Sequence, residues 1–270
     1  MIISFTTVPP RFAHLGAVVQ AIGAQRLRPD RVELYLPRQY RRFPGERPTL
    51  PPLPDWLTVI EVDEDDGPAT KILPALTKWR GLGVDILFCD DDKAYDPDWT
   101  RRFAAMRRDH PDDALCEYGH ELEHVTRTAA LRRIDPPGPR AVPVPNGPKR
   151  GQPIRLTDGP DGPAHRHFIS PGHMDVVFGF GGVMIGSDWL DHRAHDIPEI
   201  LWTVDDIWLS GMLELHGHKI WVGHQGQFLA GPTPTGTIAA LRDFTEQGHD
   251  RFAANALCVR YFRDTHGIWL

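Results

Sequence analysis

The chain has 270 residues, 41% hydrophobic and 24% charged, which is enough for a sizeable core in one large domain or two small ones. Its formal net charge is −6 and its Lys and Arg residues form no concentrated basic run, which excludes a nucleic-acid backbone as the main partner. The opening "MIISFTTVPP" has no basic n-region and no long apolar segment, and no run reaches the ~18 apolar residues of a membrane span, so a cytoplasmic protein without a transmembrane segment is expected, with peripheral membrane contact left open.

Residues 2–7, IISFTT, are short, apolar and β-prone, and Pro9-Pro10 stop them: a first strand. Phe12, Leu15, Val18, Val19 and Ile22 recur at helical spacing, so a helix is expected over 11–26. RVELYLP (31–37) and WLTVIEV (56–62) read as the second and third strands, separated by a proline-rich loop. DEDDGPATK (63–71) is a turn leading into a helix, and VDILFC (84–89) is the fourth strand. A helix follows, with Asp96 as N-cap and Pro97 at its first position, and DALCEY (113–118) is the fifth strand. Strand and helix alternate, the pattern of a mostly parallel sheet flanked by helices, whose ligands sit at the carboxyl ends of the strands.

After Tyr118 the pattern breaks. Residues 135–163 hold nine prolines and five glycines and bury too little to form a core element. Order returns at 174–186, an apolar glycine-rich segment, then at 203–217, a helix with a broad apolar face and Gly217 at its end, and at 218–223, a last short strand. We expect one domain over 1–236 carrying the 135–163 insert, with a helical tail, 237–270, packed on it. Cys89, Cys116 and Cys258 are widely spaced and odd in number, so neither a disulfide framework nor a zinc cluster is indicated.

Three features bear on chemistry. Asp90, Asp91 and Asp92 end an apolar strand, and such a knot of like charge calls for a cation. Asp90 and Asp92 point to one side of an extended chain and suit Mg²⁺ or Mn²⁺, which favour carboxylate oxygens together with substrate phosphates; an exposed acidic turn is the competing reading. Lys71, after the Gly67-Pro68 turn, could offer its ammonium to a phosphate or be a solvated charge. Asp205 and Asp206 stand at a helix N-terminus, where the dipole accounts for one carboxylate but not for two. The glycines of "FGFGGVMI", Gly181 and Gly182 among them, lack a dinucleotide fingerprint and fit a backbone that comes close to a ligand. Trp99, Trp202 and Trp208 flank the acidic motifs as core residues or sugar-stacking rings, and His216, His218 and His224 cluster without metal-site spacing.

Taken in order, "ISFTTVPPRF", "DDGPATKILPAL", "ILFCDDDKAYDPDW", "VVFGFGGVMI" and "VDDIWLSGMLELHG" resemble a nucleotide-sugar glycosyltransferase of the GT-A type, closest to bacterial family-two-like enzymes. The resemblance spans about 2–222 apart from the insert, with Asp66 standing where many relatives carry an aromatic residue. It implies a GT-A-like, Rossmann-like α/β fold in a single domain, Mn²⁺ or Mg²⁺, a UDP- or GDP-sugar donor, and a saccharide or other hydroxyl acceptor. It places Asp90, Asp91 and Asp92 at the D-x-D position, with Asp92 on the metal and Asp90 on the metal or the ribose. Thr6, Thr7 and Arg11 would lie beside base and ribose, and Asp65, Gly67 and Lys71 on the nucleotide side. Asp205 or Asp206 would be the catalytic base of an inverting transfer. Arg140, Lys149, Arg150 and Arg155 would let the insert close over the donor or meet a charged acceptor. The alternatives are a nucleotidyl- or phosphotransferase with an aspartate-held metal, although no P-loop is present, and a non-catalytic nucleotide-sugar-binding relative.

Overall fold

An eight-stranded sheet organises the protein in the computed structural model, which describes residues 1–143, 157–159, 162–164, 168–225, 234–241, 244–245 and 247–270. Its strands are β1 (Ile2–Thr6), β2 (Arg31–Pro37), β3 (Leu57–Val62), β4 (Asp85–Cys89), β5 (Ala114–Cys116), β6 (Gly172–Met174), β7 (Val183–Gly186) and β8 (Ile220–Val222). Their order across the sheet is β6-β8-β5-β7-β4-β1-β2-β3. Parallel pairing links β3 to β2, β2 to β1, β1 to β4, and β5 to β8, whereas β7 runs antiparallel between β4 and β5 and β6 antiparallel to β8. The expected α/β class, a mostly parallel sheet flanked by helices, is what forms.

The helices are α1 (Gly16–Gly23), α2 (Leu73–Trp79), α3 (Trp99–Asp109), α4 (Leu122–Thr126), α5 (Asp205–Leu215) and α6 (Arg251–His266). The central strands are buried on both faces, which is why β1 and β4 are largely apolar; the buried Ser4 of β1 donates its hydroxyl to the Lys71 carbonyl. On one face Val18, Val19 and Ile22 of α1 and Trp99 and Phe103 of α3 pack with Ile3, Phe5 and Leu87. On the other, α2, α4, α5 and α6 share a second core with Ile86, Phe88 and Val183. Helix α5 is enclosed almost all round, so its apolar residues do not keep to one stripe. Gly211 lets α6 reach it: a Cβ there would lie 2.3 Å from the Phe262 ring.

Several boundaries differ from the sequence pattern. The stretch expected to be one helix over 11–26 is a 3₁₀ turn, Pro9–His14, followed by α1, because Pro9 and Pro10 sit at the start of the turn. Helix α3 begins at Trp99 rather than at Pro97, since Asp96 turns inward: its Oδ1 accepts the Asp98 N–H, and both its oxygens accept from Arg102. The 174–186 segment breaks into the end of β6, a two-residue ribbon (Val176–Val177, paired with Gly119–His120), a 3₁₀ turn (Gly179–Gly181) and β7. Of the insert, Thr157–Gly159 pairs with Gly162–Ala164, and Val142–Pro143 with Phe168–Ser170. No helix among the described residues is long and apolar enough to cross a membrane.

The topology collects chain segments at one edge. The C-terminal ends of β1, β4 and β5 lead into Thr7, Asp90 and Glu117. The antiparallel β7 has its first residue, Val183, paired with both Phe88 and Cys116, so Gly179–Gly182 enter at that same edge.

Candidate functional site

At this edge each carboxylate of the acidic knot meets a protein cation. Asp90 Oδ1 accepts from Lys71 Nζ at 2.7 Å, Asp91 Oδ1 from Arg11 Nη1 at 2.6 Å, and Asp92 Oδ1 from Lys93 Nζ at 2.6 Å. The Thr7 hydroxyl donates to the other oxygen of Asp91 at 2.5 Å. Burial drives the Asp91 carboxyl up to about 6, against the opposing pull of Arg11 and Thr7. For Asp90 the balance reverses: burial acts upward, but the charge and hydrogen bond of Lys71 outweigh it and hold the carboxyl below its usual range.

Lys71 is the hub. Its side chain is 4% exposed, and Nζ lies 2.8 Å from Asp205 Oδ2 and 4.0 Å from Asp206 Oδ1 in addition to its bond to Asp90. Burial disfavours the ammonium, yet Asp205, Asp90 and Asp206 together raise its pKa well above the ordinary lysine value. Gly179 makes room for it, since a Cβ there would lie 2.4 Å from Nζ and 3.0 Å from Asp90 Oδ1. The Gly179 N–H also donates to Asp206 Oδ1 at 2.9 Å, and Arg251, at the start of α6, approaches Asp206 Oδ2 at 3.6 Å. Asp206 is driven up to about 7, first by burial, then by the adjacent Asp205, against Lys71.

A second group surrounds the turn before Lys71. Asp65 accepts the Gly67 N–H at 2.9 Å and the Arg41 N–H at 2.6 Å, and its carboxyl is raised by burial despite them. Gly67 adopts φ +59, which favours glycine, and a Cβ would strike the Trp202 ring at 2.7 Å. Trp202 in turn donates to the Asp65 carbonyl and lies beneath the Arg41 guanidinium. The buried Tyr40 hydroxyl has no hydrogen-bond partner among the described residues and feels the charges of Asp65 and Asp91. Arg11 and Arg42 donate to the carbonyls of Ile238 and Ala239, fastening the 234–241 segment beside this group.

The structure therefore brings Lys71, Asp90, Asp205 and Asp206 into one cluster, Thr7, Arg11 and Asp91 into another beside it, and Asp65 and Gly67 into a third. Thr6 is tied into the sheet, donating to the Tyr35 carbonyl. Gly181 and Gly182 line the β7 entry: the Gly181 carbonyl accepts from Trp99 Nε1, and Gly182 has φ +88 with the same indole 2.5 Å from its would-be Cβ. Trp99, Trp202 and Trp208 are all buried, as core residues. Arg140 is committed to Asp175 and Glu121, so it does not reach over the edge; Lys149, Arg150 and Arg155 lie outside the described residues.

Sequence reasoning missed Gly179, Lys93, Arg251 and Tyr40. Gly179 stood in the segment already flagged for close backbone approach, two residues short of the glycines singled out. Arg251 carries no sequence signal, because only the docking of α6 on α5 sets it beside Asp206.

Hard oxygen donors suit Mg²⁺ or Mn²⁺ here. Asp91 has both oxygens committed to Arg11 and Thr7, whereas Asp90 Oδ2 has no partner among the described residues and the Asp90 side chain is 35% exposed. Lys93, on a side chain 27% exposed, pairs with Asp92 Oδ1. Two carboxylates completed by substrate phosphates are a usual set for these ions, so Asp90 and Asp92 fit the role and Asp91 does not. Among the described residues the one group of three or more His, Cys, Asp and Glu with donor atoms close together is Glu121, Glu123 and His124, away from this cluster in sequence; His216, His218 and His224 are not in it.

No protein-family profile matches the chain, and no curated protein matches it. Among solved structures, S. aureus TarS residues 1–349 in complex with UDP-GlcNAc is matched at TM-score 0.45 and 12% identity, over 88% of this chain and 60% of that one. A second structure of TarS residues 1–349 is matched at 0.44 and 14%, over 98% and 72%, and a third TarS structure at 0.39 and 14%, over 82% and 34%. This chain thus spans 60% of the first of these, and TM-scores this low carry no chemistry across.

Proposed function

We propose that the protein is a metal-dependent glycosyltransferase that moves a sugar from a nucleoside-diphosphate sugar to a hydroxyl acceptor with inversion. One observation carries this reading. Acidic groups over a hundred residues apart in the chain, Asp90 and the Asp205–Asp206 pair, are held around a single buried lysine at the carboxyl edge of a mostly parallel sheet, where such folds bind ligands. The order of sequence motifs supports the same reading.

Asp90 and Asp92 would hold Mn²⁺ or Mg²⁺, which would neutralise charge developing on the diphosphate leaving group. Thr7, Arg11, Asp65 and Gly67 would line the nucleotide. Asp206 is the better candidate of its pair for the base: Asp205 is ion-paired with Lys71 at 2.8 Å, whereas Asp206, raised to about 7, can take and release a proton near neutrality. In the reaction the acceptor oxygen forms a bond to the anomeric carbon, the bond from that carbon to the phosphate oxygen breaks with its electron pair leaving on the nucleoside diphosphate, and the acceptor proton passes to Asp206.

Calorimetric titration with UDP and GDP tests the donor half. One of the two is expected to bind with Mn²⁺ present and to lose at least ten-fold in affinity when EDTA removes it or when Asp92 is replaced by Ala. Binding that is the same with and without the ion would contradict the metal assignment, and no binding of either nucleotide would contradict the whole reading.

A further inference from the structure

Resting on the glycosyl-transfer reading, we propose that Lys71 is a positioning residue: a resident cation that ties the carboxylate at the end of β4 to the two at the start of α5, and that does not touch the donor phosphates. A lysine following a glycine-proline turn invites assignment as a phosphate ligand. The geometry opposes that. Nζ already lies within 2.8 Å of Asp90 and Asp205, is backed by Gly179 with no space for even a methyl group, and sits on a side chain that is 4% exposed. An ammonium has three protons to donate; one goes to Asp90 Oδ1, and the charge is shared with the Asp205 carboxylate 2.8 Å away, whose buried Oδ2 accepts no hydrogen bond among the described residues.

The consequence is a division of labour among the acids. Lys71 pulls Asp205 and Asp90 toward a common centre, so Asp205 serves the framework. Asp206, one residue on and 4.0 Å from the same Nζ, is instead fixed by the Gly179 N–H and is the member of the pair assigned to the base. Donor clamp and base belong to elements far apart in the chain, and the ammonium lies between Asp90 of one and the Asp205–Asp206 pair of the other. Catalytic groups held by an independently satisfied neighbour keep the near-attack geometry on which rate depends.

The test compares wild type with Lys71→Met, Lys71→Met/Asp205→Asn and Gly179→Ala. Binding of UDP and GDP, with Mn²⁺ and again in EDTA, is followed by calorimetry, and release of nucleoside diphosphate is followed across a panel of UDP-, GDP- and dTDP-sugars. The double variant limits misfolding, because it removes the buried positive charge together with one of its two close carboxylates and leaves Asp90, whose side chain is 35% exposed, to water; its Tm, read by circular dichroism, is expected above that of Lys71→Met alone. Nucleotide affinity measured in EDTA is expected to stay within 3-fold of wild type in all three variants, while kcat with Mn²⁺ falls at least 100-fold in both Lys71 variants and at least 10-fold in Gly179→Ala. A loss of 10-fold or more in UDP or GDP affinity measured in EDTA in the double variant, with UMP or GMP affinity unchanged, would make Lys71 a phosphate contact and overturn the proposal. So would a kcat near wild type in that variant. Wild-type protein that neither binds UDP or GDP nor releases nucleoside diphosphate overturns the glycosyl-transfer reading itself, an outcome separable from the others because it appears before any substitution is made.

Discussion

Asp206 combines two demands on one side chain. It is held by the Gly179 N–H and the Arg251 guanidinium, yet burial and Asp205 keep its carboxyl near 7. Replacement by Asn preserves the shape and removes the proton acceptor, so kcat is expected to fall by about 10²–10⁴ with donor affinity within a few-fold. In wild type, turnover should rise with pH through about 7 as this carboxyl ionises, and the Asn variant should lack that limb. Stability moves the other way. A carboxyl raised from about 3.9 when unfolded to about 7 when folded favours the native state fully only below the lower value, and the advantage is lost as pH rises through the upper one. The Tm of Asp206→Asn relative to wild type should therefore increase between pH 5 and pH 8; a constant difference would show that the carboxyl is not raised. At this scale the sequence revealed the acids more readily than their partners. Asp90–Asp92 and Asp205–Asp206 stand out as clusters of like charge, whereas the pairing of Lys71 with Asp205 depends on a contact between segments 134 residues apart in sequence.

Between elements, two contacts fix the frame around the site. Gly211 of α5 receives the Phe262 ring of α6, with less than 2.6 Å to the nearest ring atoms from a would-be Cβ. Gly211→Ala overpacks this contact and is expected to cost about 1–3 kcal/mol, read as a lower Tm. Phe262→Ala leaves a cavity and costs about 3–5 kcal/mol. Because the Ala methyl then meets no ring, the double variant should be less destabilised than the sum of the two, and strict additivity would show that the two residues do not share the contact. On the opposite face Arg102 of α3 bridges Asp96 and Glu117, joining the loop after β4 to the end of β5. Strand and helix types were legible from the short β-prone runs of β1, β2 and β4, from the helical spacing that led into α1, and from the Asp96-Pro97 start signal ahead of α3. Boundaries were less so: Asp96 has the residue type of a cap, and nothing local shows that Arg102 draws it inward.

For the molecule as a whole, the tail is part of the framework. Ala254, Cys258, Val259, Phe262 and Trp269 belong to the same core as Ile86, Phe88 and Val183. Removing residues 237–270 exposes that core, so the truncated chain is expected to lose cooperative thermal unfolding, as judged by circular dichroism; a sharp transition near the wild-type Tm would show the tail to be an accessory. The alternation of strand and helix made the parallel half of the sheet legible in advance, whereas the reversal of β7 was not, because an apolar strand buried on both faces carries no mark of its direction. That reversal also bears on the order in which the chain acquires structure. β4 and β5 are not neighbours; β7, synthesised about seventy residues after β5, must slide between them. Until it arrives, a nascent chain on the ribosome carries β4 as an open edge beside a half-built sheet, with unpaired backbone groups along a run of Ile86, Leu87 and Phe88, and such edges recruit other chains. The proline- and glycine-rich insert lies between β5 and β7, so the interval of greatest exposure to aggregation coincides with its synthesis.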